Sequence, residues 1–256
     1  MISRLLTSAF LLLISSIADA RTVTISSGEF PPWTGSNLPN QGYVNHIISE
    51  AFASVGVKVE FVYLPWKRAF EEARRGEYDL TSYWYANSER LEAMLVSDPV
   101  VQNRTVFFQR AEEEQIAWQT LKDLENYRLS ATIGFTYTEA FLEAIANRDL
   151  KVTMVPTDTQ NIKMLMSRRV DLIATDEMSG YYMAATLSVD PRKLRVLEPE
   201  LAKVNGHVMA TKNNPASFEL IELFNRGLQQ IKANGKYQKI ITRVDETSFY
   251  DPGVNE

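Results

Sequence analysis

LMSRRVDLIATDEM (165–178) and EEARRGEYDLTSYW (71–84) read as one device used twice. Each has a helical stretch ending in a double arginine, a turn, and an Asp-Leu pair that opens a β-branched or aromatic run. A helix that returns to a strand running the same way is the unit of a parallel, helix-covered sheet. Two copies some ninety residues apart therefore predict two α/β lobes. Followed to its carboxyl end, the strand in the first copy delivers Trp84 and the strand in the second delivers Asp176. Ligands favour the carboxyl ends of parallel strands and the gaps between lobes. SYWYANSER (82–90) and ATDEM (174–178) are thus expected to be facing walls of one cleft.

The rest of the chain keeps the same rhythm. TVTIS (22–26), VKVEFVYL (57–64), YRLSATI (127–133) and LKVTMVP (150–156) read as further strands. Val44, Ile47, Ile48, Ala51, Phe52 and Val55 fall on one face of a helix, as do Trp66, Ala69, Phe70 and Ala73. TEAFLEAIAN (138–147), TQNIKMLMSR (159–168) and EMSGYYMAATL (177–187) supply helices to the second block. Two extended segments, near 103–110 and 205–212, join the blocks and predict a hinge of two crossing strands. The expected division is 21–105 with 210–256 as lobe 1 and 106–209 as lobe 2. The fold class is α/β, two-lobed, with an interlobe cleft.

Composition narrows the function. Residues 1–20 hold one early cation, Arg4, an apolar run and the small-x-small close Ala18-Asp19-Ala20, the pattern of a cleaved export signal. The expected location is the periplasm. The absence of cysteine leaves no disulfide framework and no thiol nucleophile. A net charge of −5 gives no electrostatic footprint for nucleic acid. The two histidines, His46 and His207, are far apart, so no histidine metal site is expected, and no cofactor is called for.

Two charges stand out against this background. Arg90 falls in the first turn of a short helix capped by Asn87 or Ser88, beside the strand end that carries Trp84. A guanidinium can grip a carboxylate through two parallel hydrogen bonds, although a solvated pair with Glu89 or Glu92 is an ordinary use of such a residue. Asp176 can meet a ligand's cation and can also cap the helix that follows it. A cation and an anion on opposing walls suit a zwitterion. Trp33, Trp84 and Tyr137 are candidate stacking faces, while Glu29 at the end of the first strand and Arg68 in a helix's first turn are further pocket candidates. Asp79 and Asp171, which open the twin strands, read as structural.

These residues sit in a recognisable order. GEFPPWT, GYVNHIISEAF, GEYDL, SERLEAMLVSDPV, DLENYRLSATIGFTYTEAF and RRVDLIATDEM together resemble the extracellular solute-binding proteins of the polar amino-acid type, family 3, which feed ABC importers. The resemblance spans Thr22 to about Val244. It implies that Arg90 of NSER holds a ligand carboxylate, that Asp176 holds an amino group, and that Thr136 of GFTYTE adds a hydroxyl at a helix start. The chain departs from the pattern in three places. GYVNHI lacks the usual acids, Gly-Phe-Thr-Tyr replaces Gly-Thr-Thr, and NSER lacks the usual threonine, which marks a divergent subgroup. The implied function is capture of an amino acid or close relative by a monomer that docks on a membrane permease. A sensing module is the alternative, and a dehydratase on the same frame is a more distant one; the latter would use Glu29 or Asp176 as general acid. When the protein is produced with its own leader in an exporting bacterium, its mature N-terminus should be Arg21 by intact mass. Recovery of the uncut chain from membranes would instead mean an anchor.

Overall fold

The computed structural model describes residues 21–242, so the leader and its cleavage site lie outside the described residues. The first βα unit is β1 (Thr22–Ser27) followed, after a long loop, by α1 (Tyr43–Ser54). β2 (Lys58–Tyr63), α2 (Trp66–Arg74) and β3 (Leu80–Tyr85) continue the parallel pattern, with β2 and β3 on either side of β1. A short helix, α3 (Ser88–Ala93), and β4 (Met94–Val96) lead into the long β5 (Val101–Arg110). The second unit comprises β6 (Arg128–Thr132), α4 (Glu139–Ala146), β7 (Lys151–Val155), α5 (Asp158–Met166), β8 (Leu172–Asp176) and α6 (Glu177–Thr186). There β6 pairs in parallel with both β7 and β8. The chain then returns through β9 (Leu194–Thr211) to α7 (Ser217–Ala233) and α8 (Lys236–Ile241), which pack on α1.

Strand order is β2-β1-β3-β9-β5-β8-β6-β7, with β4 also paired to β9. Only β5 and β9 touch both halves. They run antiparallel from Val101↔Gly206 to Arg110↔Leu194, with one irregularity between Thr105 and Phe107. β9 continues past Gly206 to pair with β3 and β4, while the far half of β5 pairs with β8. The return strand is thus eighteen residues long and starts well before the extended segment read from the sequence.

The buried apolar residues separate along the same line. One core joins Val23, Ile47, Phe52 and Leu80 to Val208, Phe224 and Ile231, with a small satellite of Ala69, Trp84, Met94 and Met209. Two others, on opposite faces of the second sheet half, centre on Phe107 with Phe141 and on Phe108 with Tyr181. The two halves thus bury largely separate sets of apolar residues, with Met178 of α6 packed at the edge of the first.

The twin motifs have matching roles. Asp79 accepts from the backbone N–H and the hydroxyl of Thr24 in β1, both at 2.8 Å. Asp171 accepts from the backbone N–H of Arg128 in β6 at 2.9 Å and from its guanidinium at 2.6 Å. In both lobes the aspartate ties an amide of the neighbouring strand, the third of β1 and the first of β6, beside the register pairs Ile25↔Leu80 and Leu129↔Leu172. Removing an acceptor from a partly buried amide costs about 1–3 kcal/mol. Asp79→Ala should therefore lower the urea unfolding free energy by about that amount, and an unchanged midpoint would show the tie to be dispensable.

Candidate functional site

The walls are set by where β3 and β8 stop. β3 ends with Trp84 level with His207 and Tyr85 level with Gly206, whereas β8 ends with Asp176 level with Thr105. Gly206 is itself level with Val101, four residues before Thr105 on β5. Along β5 the two strand ends are therefore offset by about 13 Å at roughly 3.3 Å per residue, with β9 and β5 lying between them in the sheet.

Tyr83, Trp84 and Tyr85 all line the resulting cavity, although a regular strand would send alternate side chains to opposite faces. The β3–β9 register shifts between Ser82 and Trp84, and the bulge turns the extra residue towards the cleft. Tyr83 lies over Gly206, where an added Cβ would come within 1.8 Å of its ring. Trp66 of α2, Phe30 of the loop after β1, and Phe135 and Tyr137 of the loop before α4 complete an aromatic enclosure. Its empty space is ≈ 610 Å³ including the open mouth.

Two charged side chains line this space. Arg90 sits over Trp84, its guanidinium carbon 4.9 Å from the ring centre, and donates to the Tyr85 carbonyl at 2.6 Å. The Asn87 side chain caps α3 by accepting from the Arg90 amide at 2.8 Å. Arg90 makes no ion pair among the described residues, and burial lowers its pKa, partly offset by Glu89. Asp176 is 5% exposed. Its Oδ1 accepts from Trp33 Nε1 at 2.7 Å and from the Ser179 amide at 2.9 Å, and its Oδ2 accepts from Asn103 Nδ2 at 2.8 Å. Burial pushes the Asp176 carboxyl above its ordinary value, and the bonds from Trp33, Ser179 and Asn103 only soften that. The Tyr83 phenol in turn donates to Asn103 Oδ1.

The loop after β1 bridges the lobes. Trp33 reaches Asp176, the Pro31 carbonyl accepts from Ser179 Oγ at 2.8 Å, and Phe30 meets Phe135 edge to face at 5.3 Å. Of the residues singled out in the sequence, Trp84, Arg90, Thr136, Tyr137 and Asp176 come together around the cavity. Trp33 stands behind Asp176 instead of lining the space, and its role is donation. Glu29 is exposed and accepts from Ser36, and Arg68 is turned along α2 to Glu72 at 2.6 Å. Neither lines the cavity. Among the described residues no cluster of acidic and histidine side chains could hold a metal.

A family model for the bacterial extracellular solute-binding proteins, family 3, matches residues 23–244. The chain belongs to that family. This solute-binding protein is 21% identical to the probable histidine-binding protein of Campylobacter jejuni over 235 residues, 88% of this chain and 86% of the relative. Its fold is also that of an ancestral arginine-binding protein solved with arginine, with a TM-score of 0.70, 21% identity and coverage of 87% and 97% of the two chains. A histidine kinase sensor domain superposes equally well, at a TM-score of 0.70 and 20% identity, covering 88% of this chain and 96% of that one. The family is extracellular, and no helix among the described residues is long and apolar enough to cross a membrane.

Asn103 is the binding-protein residue that sequence reading passed over. It lies in the hinge strand, and only the fold brings it to Asp176. A carboxyl whose folded pKa is raised binds more protons folded than unfolded, so its ionisation destabilises the fold as pH rises. For Asp176 that loss begins near 3.8 and is complete above its raised value. By urea unfolding, the stability of the wild type relative to Asp176→Asn should fall as pH rises through this range. Identical pH profiles would mean that the group is not buried as a carboxyl.

Proposed function

We propose that this is a periplasmic binding protein that captures a small zwitterionic or carboxylate solute, an amino acid or close relative, and hands it to the membrane permease of an ABC importer. One observation carries the reading. A single aromatic cavity has on one wall a guanidinium with no ion pair among the described residues, and on the other a buried carboxylate likewise without one. A buried charge without a counter-charge is costly, and a zwitterion compensates both at once.

Arg90 belongs to the lobe that carries the cleft's aromatic strand end, so the open form first receives the solute's carboxylate there. Rotation about β5 and β9 then brings Asp176 and the Thr136 loop over the other end. Water leaves, the attractions strengthen, and occupancy becomes a shape that a permease can read. One chain supplies both walls, and the protein works as a monomer. Nothing in this cycle makes or breaks a covalent bond, and no cofactor enters it. A dehydratase would need a proton donor aimed at the solute, but both Asp176 oxygens are engaged by protein donors and Glu29 does not line the cavity. The likeness to a histidine kinase sensor domain favours sensing as a second reading, in which the same closure is read by a receptor.

Calorimetry of the twenty common amino acids against the wild type and Arg90→Ala tests the proposal. Breaking a desolvated charge pair costs roughly 3–5 kcal/mol, so affinity for the preferred solute should fall by about a hundredfold or more. Full-strength binding by the variant would remove Arg90 from the site.

A further inference from the structure

We propose that the cationic end of the solute is a methylated ammonium, held by aromatic faces above a buried anion, so that the ligand is a small N-methylated amino acid. This rests on the solute-binding reading above and names the chemical class within it.

The first ground is an inventory of hydrogen-bond acceptors. A carboxylate has about four acceptor positions. Three of those on Asp176 are occupied by Trp33 at 2.7 Å, Asn103 at 2.8 Å and the Ser179 amide at 2.9 Å. One of the two lone pairs of the Tyr85 carbonyl, at the strand end facing Asp176, accepts from Arg90 at 2.6 Å. The Tyr137 phenol oxygen accepts from the Thr132 amide at 2.8 Å, and Tyr83 gives its proton to Asn103. The hydroxyls of Thr105, Thr136 and Tyr85 remain around the cavity. A primary ammonium brings three N–H donors into a space from which water is excluded, and each one left without an acceptor opposes binding. A trimethylated nitrogen brings a full positive charge and no donor.

The second ground is the walls. The rings stand in near-perpendicular pairs, Trp66 with Trp84 at 85°, Tyr83 with Tyr85 at 75°, and Phe30 with Phe135 at 81°. Such corners present several faces to one volume, and aromatic faces attract a cation that has no N–H to place. Arg90 already lies over Trp84, which leaves the remaining pairs for the ligand. The Asp176 charge reaches this enclosure, where after burial it is the next cause that raises the Tyr85 phenol. The cavity thus pairs the Arg90 cation with one anion, three of whose acceptor positions are engaged by the protein.

Calorimetry with glycine, sarcosine, N,N-dimethylglycine and trimethylglycine, using the full mature chain, separates a donor-driven site from an aromatic one without any mutation. The expected result is affinity that climbs with each methyl, by about tenfold or more from first to last, and that Arg90→Ala abolishes. Flat or falling affinity along the series overturns the proposal, as does no binding of any member at millimolar concentration. The common amino acids run in parallel identify what has failed. If one of them binds in an Arg90-dependent way while the series falls, solute binding stands and the methylated class is wrong. Silence from both sets removes both readings.

Discussion

A carboxylate buried to 5% exposure, with no ion pair among the described residues, is hard to keep in a folded protein, and Asp176 is kept by donors from three places. One is the amide of its own helix, one a side chain of the hinge strand, and one an indole from the opposite lobe. The rest of the site is arranged around this arrangement. β8 must stop where it does to leave Asp176 at the helix start, Asn103 must face it from β5, and the loop after β1 must cross the cleft to deliver Trp33.

The two lobes reach this state by the same local means. Asp79 and Asp171 each tie an early amide of the adjacent strand, and each parallel trio then runs in fixed register to a carboxyl end that opens on the cleft. The duplication stops there. On one side the bulge at Tyr83 turns three consecutive aromatic residues towards the cavity, and on the other a regular strand ends in a capped carboxylate. Equal scaffolds thus present unlike walls, one aromatic and cationic, the other anionic.

Much of this was legible in the chain. The repeated Arg-Arg, turn, Asp-Leu segment carried the two-lobed architecture, because helix-to-strand returns have a periodicity and a turn chemistry that survive without tertiary context. The strand ends placed Trp84, Arg90 and Asp176 on one cavity for the same reason. What did not show were features created by long-range pairing. The bulge exists only in relation to β9, so nothing in YWY (83–85) reveals that all three side chains line one cavity. Trp33 read as a stacking face because an indole's ring is evident in sequence, whereas the carboxylate that its N–H meets lies 143 residues away. Glu29 and Arg68 were drawn to the site by proximity to strand and helix ends, and short-range partners, Ser36 and Glu72, claim them.

The contact between Tyr83 and Gly206 ties two properties that binding proteins could otherwise tune separately. Gly206 marks the point at which the return strand leaves one lobe's sheet for the other, and the tyrosine ring lies directly on it. Bending of the backbone there shifts a wall of the pocket in the same stroke. Selectivity and flexing are in that sense a single mechanical variable, and a lineage altering what it accepts at Tyr83 would also be altering how readily it shuts.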